Sequence, residues 1–168
     1  MTARSGRLVP LAAAVLLGAF CAACASKPSR FYTLESKAVA ESAVAGSCAV
    51  IVGPVSIPAA VDRPELVVQL APNRVAIEEF DRWAAPLGDG IAHAVAGDLA
   101  VLLGTPRVAV APLANFAPDY RVTIDVQRFG SVPGVGVELD AVWVVKPTAG
   151  DRVRSGGTTV REPATGEG

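Results

Sequence analysis

Few side chains in this sequence suit covalent or acid–base chemistry. It holds 3 cysteines and 1 histidine in 168 residues. His93 falls four residues after Asp89 on what reads as the polar face of a helix, where a solvent-facing imidazole is the ordinary outcome. Glu78 and Glu79 are neighbours in a strand-like run and point to opposite faces, so they cannot work as an acid/base pair. No serine sits in a G-x-S-x-G turn, and no set of His and Cys has metal-ligand spacing. Gly134-Val135-Gly136 opens a strand rather than a helix and cannot cradle a phosphate. The expectation is a protein that is not an enzyme, with no catalytic residue, no bound cofactor and no metal site. Cys48 begins the run CAVIV and reads as a buried small hydrophobe. A reactive thiol there would lack the basic neighbour that lowers its pKa.

Cys24 is the residue with a chemistry of its own. Residues 1–7 carry Arg4 and Arg7 and no acid, and residues 8–20, LVPLAAAVLLGAF, are an apolar run of 13. That is short of the about 20 residues a spanning helix needs, and the basic-then-apolar order is that of a secretory signal. The following Cys21-Ala22-Ala23-Cys24 resembles a bacterial lipobox. Cleavage before Cys24 would leave it carrying a diacylglycerol thioether and an amide-linked acyl chain such as palmitate. Cys21 does not serve as the acceptor, because Phe20 would occupy a cleavage position that needs a small residue. Cys21 also stands where a lipobox usually has leucine. The alternative is an ordinary secretory signal cut near Ala23 or Ala25. Acylation changes the membrane relationship from spanning to anchored, with each buried methylene worth about 0.8 kcal/mol. By similarity to diderm lipoproteins, Ala25 after the cysteine directs the chain to the outer membrane, facing the periplasm.

Composition agrees with an anchored, folded chain. Hydrophobic residues make up 51% and charged residues 18%, which excludes a disordered protein. The balance of 15 basic against 16 acidic residues, with no basic run, gives no footprint for nucleic acid. Loss of residues 1–23 removes Arg4 and Arg7, leaving 13 basic against 16 acidic residues, a net charge of −3. Attachment to a bilayer must then come from the lipid rather than from headgroup electrostatics. Only Cys48 would remain as a free thiol, so no intrachain disulfide can form.

The pattern of apolar residues predicts a single α+β domain over 24–147. It has a largely antiparallel twisted sheet with one main amphipathic helix, 86–103, packed on it. Strands are expected at 30–34, at 49–57 as a central strand covered on both faces, at 66–71 and 75–80 as a hairpin, and at 107–111. In the helix, Leu87, Ile91, Val95, Leu99 and Leu102 form one apolar stripe. The clearest strand alternates Tyr120, Val122, Ile124 and Val126 with polar residues. After a turn at 130–134, its partner alternates Val135, Val137, Leu139, Ala141, Trp143 and Val145. Residues 36–47 read as a loop. Residues 148–168 have almost no large apolar side chain; Arg152 to Arg154 could start one more strand, and the rest is expected to be a loose or truncated tail.

Two stretches stand out. Pro58 to Pro64, PAAVDRP, joins two elements, and Glu79 to Leu87, EFDRWAAPL, leads into the helix. Packing alone would account for Phe80, Trp83 and Leu87 at the helix base, with Arg63 and Arg82 paired to Asp62, Asp81 or Asp89. The functional reading makes Arg63, Arg82 and Trp83 a candidate partner surface.

The same stretches carry a family resemblance. The chain resembles the ABC-type transport auxiliary lipoproteins, the PqiC-like intermembrane transport lipoproteins. A lipobox is followed by Phe31-Tyr32-Thr33-Leu34, and a buried strand ends in Gly53 to Pro58 before Asp62-Arg63-Pro64. Phe80 to Leu87 runs into a helix, and the Tyr120 to Gln127 strand has a hairpin partner. The resemblance covers 24–147. It implies a non-enzymatic lipoprotein under the outer membrane that docks an MCE-domain conduit and supports lipid transport and membrane integrity. It is compatible with homo-oligomerisation into a ring. It also implies a C-terminal helix for which 148–168 offers no pattern. The competing readings are an independent lipid- or solute-binding lipoprotein, an envelope assembly factor and, more remotely, a hydrolase using His93.

Overall fold

A computed structural model describes residues 27–40 and 46–163. The signal segment 1–23 and Cys24 lie outside the described residues. The elements run β1 (Arg30–Tyr32), β2 (Val50–Ser56), β3 (Glu65–Ala71), β4 (Arg74–Trp83), α1 (Leu87–Leu102), β5 (Val108–Val110), β6 (Tyr120–Val132), β7 (Gly136–Pro147) and β8 (Arg154–Pro163).

All eight strands join one curled sheet, β1-β4-β3-β6-β2-β5, with β7 and β8 added along the other side of β6. The α+β class and the helix are as expected. The sheet is mixed rather than largely antiparallel: β1/β4, β2/β5, β2/β6 and β3/β6 pair in parallel. The long hairpins β3/β4, β6/β7 and β7/β8 supply the antiparallel part. Parallel partners are far apart in sequence, and side-chain alternation does not distinguish a parallel neighbour from an antiparallel one.

β2 is the central, doubly covered strand. Val50, Ile51 and Val52 are all buried between parallel β5 and β6. Its ladder to β6 shifts between Val52 and Val55, where Gly53 adopts φ 118°, a conformation that favours glycine. The α1 face packs on β2 and β5. It buries Leu87, Ile91, Ala92 and Ala96, while Val95 and Leu99 are half-buried and Leu102 is 61% exposed. The expected stripe is therefore rotated toward two alanines, and small side chains let the helix axis approach the sheet closely.

The other correction is at the C-terminal end. Residues 148–168, expected to be a loose tail, contribute β8, which pairs with β7 from Gly136↔Pro163 to Val145↔Arg154. Backbone hydrogen bonds and cross-strand polar pairs hold it, not burial. Thr159 Oγ1 donates to Asp140 at 2.7 Å, and Arg161 Nη2 donates to Glu138 at 2.7 Å. The indole of Trp143 covers Gly156 and donates from Nε1 to Thr158 at 3.2 Å. The β6–β7 turn also falls later than expected, at residues 133–135.

The packing separates two aliphatic positions of the same helix. Ile91→Ala is expected to lower unfolding free energy by about 2–5 kcal/mol. Leu102→Ala should stay within about 0.5 kcal/mol. Urea unfolding of the two variants checks the contrast.

Candidate functional site

The polar centre of the N-terminal region is Asp81, which is only 5% exposed. β4 continues past the expected end at Phe80 to Trp83, and this carries Asp81 into register with Arg30 of β1. Arg30 and Tyr32 are two residues apart on one strand, so both side chains reach the same face. Arg30 donates from Nε to Oδ1 at 2.6 Å and from Nη2 to Oδ2 at 2.9 Å. The Tyr32 hydroxyl donates to Oδ1 at 2.8 Å. The hydrogen bonds from Arg30 and then Tyr32 hold the Asp81 carboxyl below the usual carboxylate range, against the opposing effect of burial. The same contacts raise Arg30 and Tyr32 above their ordinary values.

Beyond β1 the chain crosses α1 as a strap. Asp98 receives its far end: Ser36 Oγ donates at 2.6 Å, and the backbone N–H groups of Lys37 and Ala38 each donate at 2.9 Å, all to Oδ1. These bonds, Ser36 first, hold Asp98 below its ordinary pKa. The strap lies close because the helix presents glycines to it. A Cβ at Gly97 would stand 2.7 Å from Ser36 Cβ, and one at Gly90 would meet the Leu34 side chain at 3.6 Å. At Gly97, alanine's better helix propensity would thus be opposed by a clash with the strap.

Between its two tethers the strap covers an apolar cleft. One cavity of ≈ 230 Å³ opens toward β3 and β6, lined by Leu34, Val61, Leu66, Trp83 and Phe129 among others. A second of ≈ 290 Å³ opens toward α1, lined by Leu34, Trp83, Leu87 and His93 among others. Trp83 stands between them and packs edge-on to Phe129, with ring centroids 6.0 Å apart.

The three candidate partner residues do not form one patch. Arg63 and Arg82 are brought together by Glu65, at 3.2 and 2.5 Å, rather than by Asp62, Asp81 or Asp89. Trp83 N donates to Pro64 O at 2.7 Å, which fixes the Arg63 loop to β4. Trp83 itself follows Arg82 on a strand and turns inward to the cleft. Arg82 Nε is buried without a partner. Glu65 sits below its usual pKa, first through its own backbone N–H and then through Arg63. His93 is exposed and donates from Nδ1 to the Asp89 carbonyl at 2.8 Å. Cys48 is half-buried against the core. Cys24 lies outside the described residues. Among the described residues, no group of His, Cys, Asp and Glu could hold a metal ion, and no helix is long and apolar enough to cross a membrane.

Sequence reasoning missed Arg30, Ser36 and Asp98 as structural anchors. Two signals pointed toward them: an arginine and a tyrosine spaced for one strand face, and glycines seven residues apart on a helix.

The family model for the ABC-type transport auxiliary lipoprotein component matches residues 32–168. A crystal structure of a Xanthomonas campestris protein of the DUF330 family, which is that same family, is 20% identical with a TM-score of 0.69, over 83% of this chain and 81% of that one. The crystal structure of an uncharacterized protein is 17% identical with a TM-score of 0.66, over 84% of each chain. These two likenesses speak for the fold alone. Among curated proteins, none matches the chain in sequence.

The clasp makes stability depend on acid. Because the folded-state pKa of Asp81 is depressed, its contribution is present above the ordinary carboxylate pKa and is lost as pH falls through the depressed one. Asp81→Asn should therefore lower Tm at pH 7 and narrow the loss of Tm between pH 7 and pH 3 relative to the unaltered chain. Thermal melts across that range check it.

Proposed function

Because the chain belongs to the ABC-type transport auxiliary lipoprotein family, we propose that it is the outer-membrane-anchored member of an intermembrane lipid transport system. In this reading Cys24 carries the acyl chains and the folded domain stands in the periplasm. There it docks the outer end of an MCE-domain conduit, whose inner-membrane permease and ATPase belong to the same ABC-type system.

The family match is the observation that carries this reading. The Asp81 clasp supports it physically. Arg30 lies six positions after Cys24, so a lipid on Cys24 would hold the body within about 20 Å of the bilayer. Confinement at that distance raises the effective concentration of the domain near a conduit tip. Arg63 and Arg82, gathered by Glu65, remain the candidate partner contact, with Trp83 supporting β4 from the cleft side. The strap's two cavities fall below the ~300–1,000 Å³ of pockets that enclose small ligands.

In-cell crosslinking of the full-length chain, with mass spectrometry of the detergent-extracted adducts, tests the reading. Recovery of an MCE-domain protein is expected, and Cys24→Ala should both release the chain from membranes and abolish the adduct. Recovery of the chain alone, where the MCE protein is present, would contradict the docking role. Adducts with a different envelope protein would instead support an assembly factor, and a membrane-bound Cys24→Ala chain would overturn the anchor.

A further inference from the structure

Two hairpins end side by side. β3 turns into β4 at Pro72-Asn73, and β6 turns into β7 at 133–135. β3 and β6 run parallel, with Val68 opposite Ser131, so both turns lie at one end of the sheet. A shallow groove between them is lined by Gln69, Leu70, Pro72, Arg128, Phe129 and Val132 among others, and Glu162 of β8 lies opposite Val137 at the same end. The turn segments 70–75, LAPNRV, and 132–137, VPGVGV, contain one charged residue, Arg74. Leu70, Val75, Val132, Val135 and Val137 are exposed, Val135 by 69%. Single exposed aliphatics are ordinary on a protein surface, but several gathered on adjoining turns mark a contact surface.

The path of the N-terminal chain indicates what this surface meets. β1 runs parallel to β4 with Arg30 beside Asp81, and β4 begins at Arg74 in the hairpin turn. Residues 27–29 are therefore aimed back along β4 toward the turns, and Lys27 Nζ lies 6.0 Å from the centre of the Phe80 ring. The chain from Arg30 to Cys24 reaches at most about 20 Å. The strand from Asp81 back to Arg74 covers about 23 Å. Residues 27–29 and the apolar turns thus point to the same end of the body, and a lipid on Cys24 would be within reach of that end.

We propose that the two hairpin turns form a membrane-contact surface, entering the headgroup region of the leaflet that holds the acyl chains. This rests on the reading of Cys24 as the acylated residue. The valines and Leu70 sit at the boundary of the acyl region, and the Arg74 stem lies along it while the guanidinium reaches lipid phosphate. An acyl anchor alone leaves the body free to swivel. A second contact stands the long β6–β7 hairpin away from the bilayer, and its 12 to 13 residues per strand put the β7–β8 loop about 40 Å from the lipid. The Arg63–Glu65–Arg82 cluster, at the far end of the β3–β4 hairpin, then faces the periplasm.

Fluorescence on the full-length acylated chain tests this. In a Cys48→Ala background, Val135→Cys and Ala149→Cys are each labelled with nitrobenzoxadiazole. The protein is then reconstituted into phosphatidylethanolamine/phosphatidylglycerol vesicles carrying a spin-labelled lipid quencher, and intact mass reads the acylation separately. The label at 135 should shift to the blue and lose most of its emission to the quencher, while the label at 149 keeps its aqueous spectrum. Aqueous spectra at both positions on an acylated, vesicle-bound chain overturn the contact and leave the anchor standing. Equal quenching at both overturns the upright orientation. A chain without acyl mass overturns the anchor reading, and the label at 135 still decides the contact: quenching by vesicles supports it and an aqueous spectrum overturns it.

Discussion

The N-terminal architecture depends on one buried carboxylate. β1 is three residues long and joins the sheet in parallel beside β4. A ladder so short supplies few hydrogen bonds, and no tight turn links the two strands to help close it. Asp81 supplies what the ladder lacks, a bidentate ionic contact to Arg30 and a hydrogen bond from Tyr32. Truncating one partner would leave a poorly solvated charge, a larger penalty than losing an exposed pair. The clasp fixes where the chain enters the fold, and so fixes the course of the strap and the roof of the cleft.

The second tether follows from the first. Once Tyr32 is seated, Thr33 to Ala38 must cross α1. The helix accommodates this with Gly90 and Gly97 beneath the strap and Asp98 at its end. Helix α1 is consequently covered twice, by the sheet on its alanine side and by the strap on its glycine side. This double cover explains why its burial departs from a single aliphatic stripe. Trp83 and Phe129 close the interior beneath the strap, where the N-terminal strand, the sheet and the helix meet.

What the sequence made legible follows from how each element is stabilised. β2, α1 and the β6–β7 hairpin bury apolar faces, and Val50 to Val52, Leu87 to Ala96 and Val122 to Val126 announce that through their spacing. The parallel pairings were not legible, because β1 with β4 and β2 with β5 are set by contacts remote in sequence. β8 was missed for a different reason. It is a strand held by backbone ladder, Thr159–Asp140 and Arg161–Glu138, and its exposed side chains carry no hydrophobic period. Of the candidate surface, Arg63 and Arg82 share Glu65 as a partner in place of Asp62, Asp81 or Asp89, and Trp83 belongs to the cleft. Asp81 lay within the FDRW block that stood out in the sequence, and only the fold identified its partners in β1.

These features fasten the N-terminal strand to the sheet in a member of the transport auxiliary lipoprotein family. The central physical claim is that Asp81 seats β1, and hydrogen exchange measures it directly. In Asp81→Asn, peptides spanning 30–38 should lose amide protection while peptides from β2, 50–56, keep theirs. Unchanged protection at 30–38, or an equal loss in β2, would contradict the claim that this carboxylate specifically fastens the N-terminal strand to the sheet.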